Sequence, residues 1–425
     1  MKNIDKYDST IVNFLFFILP LSLIFGNFLT NLNVFLLCVF SFAFYSKKII
    51  KFKINLLDKI VLVFFFYTII SLAVNFFDNY LNNESFSKIV IYKTLFYLRY
   101  LIFYLALRVL ISQKILRLDW FSLACVACAT FVCLDIFFQF SFGKDLFGIK
   151  PASERHFSGI FGEENIAGGY LQKFALFSFF LPFVFRKNIF HKVSIQFFLF
   201  IVFMFGIVLS GNRMPLILFI LSFLLIILLN RELRKYFFTI FIITFILLSL
   251  FFKTNLVFRM NISNFYENGA NVIKTFFIKD ISEDKSGLWK KPYVIQFHCF
   301  KYIWGKKPIF GGGIRSYRTY IGCNSHPHNY YLEILSDLGL IGLSIFMILG
   351  FMLFRKIFIK KNTIFKLISN SFDNTKVTPF FLILFIEFFP LRSSGSIFAT
   401  NNSSIIFLVL GILVSLVSAK KLYKN

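Results

Sequence analysis

Apolar residues along this chain come in blocks of about 17–25, divided by short polar stretches. A helix needs about 20 such residues to cross the hydrocarbon core of a bilayer. Residues 11–29, 56–77 and 405–419 are clear examples. Within them the apolar side chains run round every face, whereas a helix in water shows one stripe. The pattern predicts about twelve spans, at 11–29, 32–46, 57–77, 94–112, 119–141, 167–185, 194–211, 214–230, 236–252, 329–354, 378–392 and 401–419. Gly211 and Pro215 interrupt the stretch 194–230. The first block is too long for the core of a signal peptide and lacks a small-residue cleavage site, so it is read as a retained span. The fold class is therefore an all-α polytopic membrane protein. Three regions follow: a bundle of about nine spans over 1–252, a large loop over 253–328, and about three spans over 329–425.

Composition changes this picture little. Hydrophobic residues make up 58% of the chain, above the usual half of a soluble domain. The 67 Phe accompany abundant Ile, Asn and Lys and read as nucleotide bias, with no function attached. A net charge of +26 in a soluble protein would suggest nucleic acid. Here the basic residues sit in short loops between spans and report topology instead, so no nucleic-acid partner is expected. With the N-terminus in the cytoplasm, the cytoplasmic segments hold 24 Lys and Arg and the short opposite loops hold seven. Both termini are thus expected inside and the loop 253–328 outside. That loop carries twelve basic and four acidic residues, about +8 net. Two readings stand: an anionic ligand such as a pyrophosphate or lipid headgroup, or a long loop exempt from the charge rule. Residues 290–302 read as an amphipathic helix lying along the bilayer surface. Of six cysteines, Cys38, Cys125, Cys128 and Cys133 fall in spans as small apolar fillers. Cys299 and Cys323 lie in the loop, where an oxidising compartment would allow them to pair.

Polar residues with chemical potential gather where the large loop meets the next span. The run contains His326, Pro327, His328, Asn329, Glu333, Asp337, Gly339 and Gly342, preceded by Gly311, Gly312, Gly313, Arg315 and Arg318. His328 is placed at a helix start, where the helix dipole favours a neutral imidazole able to accept a proton from a hydroxyl. Gly339 and Gly342, three apart, lie on one helix face and would admit another helix closely. Two histidines without a third ligand fit zinc poorly, so no metal is expected. Glu333 and Asp337, four apart, read either as chemical carboxylates orienting His328 or as acids favoured by the helix dipole. Arg213 follows Ser210, Gly211 and Asn212 at a membrane turn, and Arg99 lies within an apolar block. Each reads as a phosphate ligand or as a snorkelling side chain. The Gly-rich turn 161–169 would shape an acceptor side or serve as an ordinary loop.

His328-Asn329, nine residues, Gly339, two residues, Gly342 resembles the hallmark motif of the O-antigen ligase and O-antigen polymerase superfamily. Phe310-Gly311-Gly312-Gly313-Ile314 resembles its Phe-Gly-x-Gly stretch, and Ser210-Gly211-Asn212-Arg213 its Ser/Thr-Gly-Ser-Arg turn. The resemblance implies a GT-C-like fold in the bacterial inner membrane. It implies an inverting transfer of a glycan from undecaprenyl diphosphate to an acceptor hydroxyl on the periplasmic face, without nucleotide sugar, metal or other cofactor. His328 would be the general base. Arg213, Arg99, Arg315 and Arg318 would hold the pyrophosphate. The chain departs from the family in having no loop Arg some 40–50 residues before the histidine; Lys290 and Lys291 stand in that region. Ligation onto lipid A–core is favoured over repeat-unit polymerisation on the carrier. A lipid-linked glycan transporter or flippase is the rival class, which would leave the diphosphate bond intact.

Overall fold

A computed structural model describes residues 2–83, 86–151, 153, 155–180, 189–229, 237–254, 256, 259–260, 263, 292–320, 323, 326–358 and 377–418. Its helices are α1 (Lys2–Phe17), α2 (Leu19–Ile24), α3 (Asn27–Ile50), α4 (Leu56–Leu81), α5 (Lys88–Tyr97), α6 (Arg99–Ser112), α7 (Leu118–Phe142), α8 (Ala167–Phe174), α9 (Ile189–Leu209), α10 (Arg213–Leu229), α11 (Phe237–Thr254), α12 (Pro292–Lys306), α13 (Tyr330–Phe358), α14 (Thr378–Glu387) and α15 (Thr400–Ser418). No β-strand forms among the described residues beyond one isolated bridge between Ser153 and His156.

Among the described residues, seven helical stretches are long and apolar enough to cross a membrane: Tyr7–Ile24, Asn27–Ile50, Leu56–Leu81, Lys88–Ser112, Leu118–Phe142, Tyr330–Ile357 and Thr400–Ser418. Four shorter apolar helices are Ile195–Leu209, Arg213–Ile227, Phe245–Thr254 and Thr378–Glu387. Two of the twelve stretches that hydropathy reads as spans leave α-helix early, each for a local reason. The stretch read as 167–185 leaves α-helix after Phe174 and continues as a 3-10 turn, Ala175–Phe179. The stretch read as 378–392 stops at Glu387. Phe388, Phe389 and Pro390 follow, and proline both lacks an N–H and disfavours helix in the residue before it.

Contacts group the chain into two units, each assembled from three stretches. One unit holds residues 1–33, 114–270 and 361–386. Aromatic rings fill it: Phe16 stacks on Phe121 with centroids 4.5 Å apart, and Phe177 meets Phe380 at 5.3 Å. Asp135 and Gln139, buried on α7, reach out of its apolar face to hold a loop. Asp135 accepts from the Leu146 and Ile160 N–H groups, and Gln139 accepts from Gly159.

The other unit holds 34–113, 271–360 and 387–425. Helix α4 begins with a capping box, Asn55 and Asp58 each bonding the other's backbone. Asp58 also accepts from Arg108 through both carboxylate oxygens, at 2.7 and 3.0 Å, and from Tyr104 at 2.7 Å. Arg108 in turn donates to Ser415, which ties α4, α6 and α15 together. A charge pair this deep persists because each nitrogen of the Arg108 guanidinium and each Asp58 carboxylate oxygen finds a partner.

The candidate functional site

The site grows from one defect in a helix. Gly339 has φ +66° and ψ −168°, so α13 breaks there. The break exposes the carbonyls of Ser336, Asp337 and Leu338 and the N–H groups of Leu340 and Ile341. Each finds a partner in segment 308–313 or in α4. Gly312 and Gly313 donate to Ser336 and Asp337 at 3.0 and 2.8 Å, while Leu340 and Ile341 donate to Pro308 and Ile309. A Cβ on Gly339 would collide with the Ile309 carbonyl, and one on Gly311 with the backbone at Asp337. Only glycine permits backbones this close. The two glycine stretches are thus halves of one junction.

Helix α4 clamps that junction. Tyr67 donates to the Leu338 carbonyl at 2.9 Å, Ser71 to Phe310 at 2.8 Å and Asn75 to Gly311 at 2.8 Å. The expectation that Gly339 and Gly342 form one smooth helix face needs correction. Gly339 is a kink whose partner is a loop. Gly342 does face a helix: a Cβ there would lie 3.2 Å from the Tyr67 ring.

Upstream of the kink, Asn329 caps α13. Its side chain accepts from Tyr331 and Leu332, and its own amide donates to the Pro390 carbonyl at 2.8 Å. His328 therefore sits just before the cap. Its φ is +52°, a conformation of order 1–3 kcal/mol above the usual regions for a non-glycine residue and kept only where surroundings impose it. The constraint is visible: the Ser394 N–H donates to the His328 carbonyl at 2.9 Å. The His328 and His326 rings lie 4.2 Å apart at 53°. Burial lowers the His328 pKa, opposed by the Ser394 backbone. His326 is lowered to about 4, first by burial and then by His328 and Arg318. Both imidazoles are thus neutral at neutral pH.

Among the described residues Glu333 and Asp337 make no hydrogen bond to His328; they anchor loops. Glu333, fully buried, accepts from Ser396 at 2.5 Å and from the Ile397 N–H at 2.7 Å. Asp337 accepts from the Arg315 N–H at 2.6 Å, Ser316 Oγ at 3.1 Å and the Tyr317 N–H at 3.3 Å. This holds Arg315 with φ +67°. The Arg315 guanidinium donates to the Phe398 carbonyl at 3.3 Å. From the other side Arg99 donates to Tyr100 at 2.9 Å and to Thr400 at 3.4 Å. Lys93 joins them, since the charges of Arg315, Arg99 and Arg318 all act on its ammonium. No carboxylate forms an ion pair with Arg99 or Arg315 among the described residues. Burial pulls the Arg315 pKa down, with Arg318 adding to it and Glu333 and Asp337 opposing.

Arg213 opens α10 in the other unit. The turn before it uses Gly211 at φ +71°. Asn212 accepts from the Gly168 N–H at 2.9 Å and donates to the Asn165 carbonyl at 3.0 Å. The structure thereby joins two segments noted separately in the sequence, 161–169 and 210–213. His156 is also there, its pKa lowered by burial and then by Arg155 and Arg213. Lys290 and Lys291 lie outside the described residues. No cluster of three or more metal-ligating side chains occurs among the described residues.

Cys299 on α12 and Cys323 are joined in a disulfide, with Cα atoms 5.8 Å apart. The bridge ties α12 to the strand of chain leading into His326. Tyr317 reinforces this by donating to the Gln296 carbonyl at 3.1 Å.

Several site members escaped sequence reading: Lys93, the clamp Tyr67–Ser71–Asn75, Asp337 as an anchor, and segment 388–399. The clamp did leave a signal, three polar residues spaced by four on an otherwise apolar helix, hence on one face.

These features define a polytopic helical membrane protein with a pair of neutral histidines, of which His326 feels the charges of Arg318 and Arg315. Residues 197–347, about a third of the chain, match the family model described as O-antigen ligase, which supports the resemblance to the O-antigen ligase and polymerase superfamily. The match takes in Arg213, the glycine junction and His328. No curated protein matches the chain.

Proposed function

We propose that this protein transfers a glycan from a polyprenyl-diphosphate carrier to an acceptor hydroxyl at the outer face of the bacterial inner membrane, with lipid A–core as the favoured acceptor. The observation that carries this is the neutral His328, its ring 4.2 Å from that of His326, on which the charges of Arg318 and Arg315 act; these two and Arg99 also act on Lys93, and among the described residues Arg99 and Arg315 form no ion pair with a carboxylate. In the proposed step the imidazole takes the acceptor proton as the hydroxyl oxygen bonds to the anomeric carbon. The carbon–oxygen bond to the diphosphate breaks on the opposite side, inverting the centre. Its electron pair stays on the diphosphate, where guanidinium groups spread the charge. No metal or nucleotide enters this scheme. Arg213 is a further phosphate ligand in this reading. Beside Ser316 a cleft of about 380 Å³, lined by Asn79, Ser87, Thr319, Tyr320 and Lys307 among others, offers hydroxyl and amide partners suited to sugar.

The reading also places both termini in the cytoplasm and 253–328 in the periplasm, supported by the charge count and by the Cys299–Cys323 bridge, a bond kept in oxidising compartments. The test is complementation of a host lacking its own O-antigen ligase, read as the lipopolysaccharide ladder. Wild type should restore the ladder on lipid A–core, and an equally expressed His328→Ala should not. A lengthened carrier-linked glycan without a ladder would assign polymerisation instead. An intact carrier diphosphate after exposure of the purified protein to lipid-linked glycan would point to transport and refute transfer.

A further inference from the structure

The last turn of α3 and the segment that follows it carry Lys47, Lys48, Lys51 and Lys53 within seven residues. They converge, with Phe52 and Gln113, on a cavity of about 520 Å³. Helix-end lysines are commonly explained by the carbonyls they complement. That covers Lys47 and Lys48, which lie in the last turn of α3. It does not cover Lys51 and Lys53, which lie beyond it. No carboxylate pairs with any of the four among the described residues. The nearest acid along the chain, Asp58, is fully spent on Arg108, Tyr104 and the Asn55 N–H. The cavity wall is also firm: the Arg108 guanidinium lies over Phe52, 5.3 Å from the ring centroid, and Arg108 is locked to Asp58 and Ser415.

A cavity lined by four lysines and no carboxylate suits an anion, and its surroundings say which kind. Ile50, Ile54 and Leu56, interleaved with the lysines, are largely exposed, as are Phe35 and Val39 further up α3. Exposed apolar side chains in that density face acyl chains. The cavity thus lies where an apolar exterior gives way to a basic rim, on the face that the charge count assigns to the cytoplasm. We propose that it is a binding site for the phosphate headgroup of an anionic phospholipid, whose acyl chains run along the exposed face of α3 and α4.

The experiment uses the full-length protein in detergent, incubated with phosphatidylglycerol or phosphatidylcholine and analysed by native mass spectrometry. Wild type should retain phosphatidylglycerol preferentially. Lys51→Gln/Lys53→Gln should lose most of that preference, on the order of tenfold or more, since one lysine near a lipid surface contributes roughly fivefold. Lys59→Gln/Lys114→Gln, which removes the same charge outside the cavity, should keep it. Equal loss in both double variants would mean diffuse surface charge and overturn the proposal. So would equal retention of the two lipids by wild type. Displacement of the lipid by millimolar inorganic phosphate would make the site one for the free ion and overturn the assignment to a lipid. None of these outcomes depends on glycan transfer.

Discussion

In the proposed transfer His328 acts only with a neutral imidazole, and its burial holds its pKa below the ordinary histidine range. The acid limb of the transfer rate should therefore fall at a pH below 6.5, and His328→Ala should cost about 10²–10⁴-fold in rate; a limb at or above 6.5 would contradict the burial argument. His326 makes a different prediction. Its folded pKa of about 4 lies under an unfolded value of about 6.5. Between the two, the unfolded chain binds more protons, so stability is present above 6.5 and is lost as pH falls from there towards 4. Thermal melts in detergent at pH 7.5 and 5 should show this loss, and His326→Gln should show less of it. Equal loss in the variant would place the effect elsewhere. Gly339 is the residue with least freedom. Gly339→Ala combines positive φ with a collision at Ile309 and should lower the melting temperature by several degrees, the scale of a loss of a few kcal/mol.

At the scale of elements, the site consists of loops hung on helices by buried carboxylates. Asp337→Ala would strand the Arg315 and Tyr317 N–H groups and the Ser316 hydroxyl, each costing about 1–3 kcal/mol if left unpaired. Asp337→Asn retains one acceptor oxygen and should keep the protein folded while displacing Arg315. We expect a raised KM for the lipid-linked donor with a smaller change in kcat; unchanged KM would show that Arg315 does not need this anchor. The elements themselves were largely legible. Unbroken apolar runs marked α4, α7, α13 and α15, and the His-Asn-x9-Gly-x-x-Gly run marked the start of α13. The loops' partners were not. Glu333 and Ser396 are 63 residues apart, and Arg99 and Thr400 are 301 apart. No local periodicity encodes such pairings. The Asp58–Arg108 pair was visible only as two charges within apolar stretches, an unusual cost in a membrane. The ending of α14 at Glu387 was signalled by Pro390, which hydropathy averaging passed over.

For the whole molecule, the Cys299–Cys323 bridge turns topology into something measurable. A bridge closing 24 residues constrains the unfolded chain by about 3 kcal/mol in the loop-entropy view. In intact cells a membrane-impermeant maleimide should label these two cysteines only after reduction. Labelling without reduction would mean free thiols, and no labelling after it would place the loop inside or out of reach. The glycine junction has a consequence for anyone who recombines such proteins. Segments 308–313 and 336–341 are matched main chain to main chain, with no side-chain give between them. Neither can be swapped from a homologue alone without spoiling the fit. A chimera intended to change acceptor preference should exchange residues 307–342 as a single cassette, His328 included, and splice at the ends of that block.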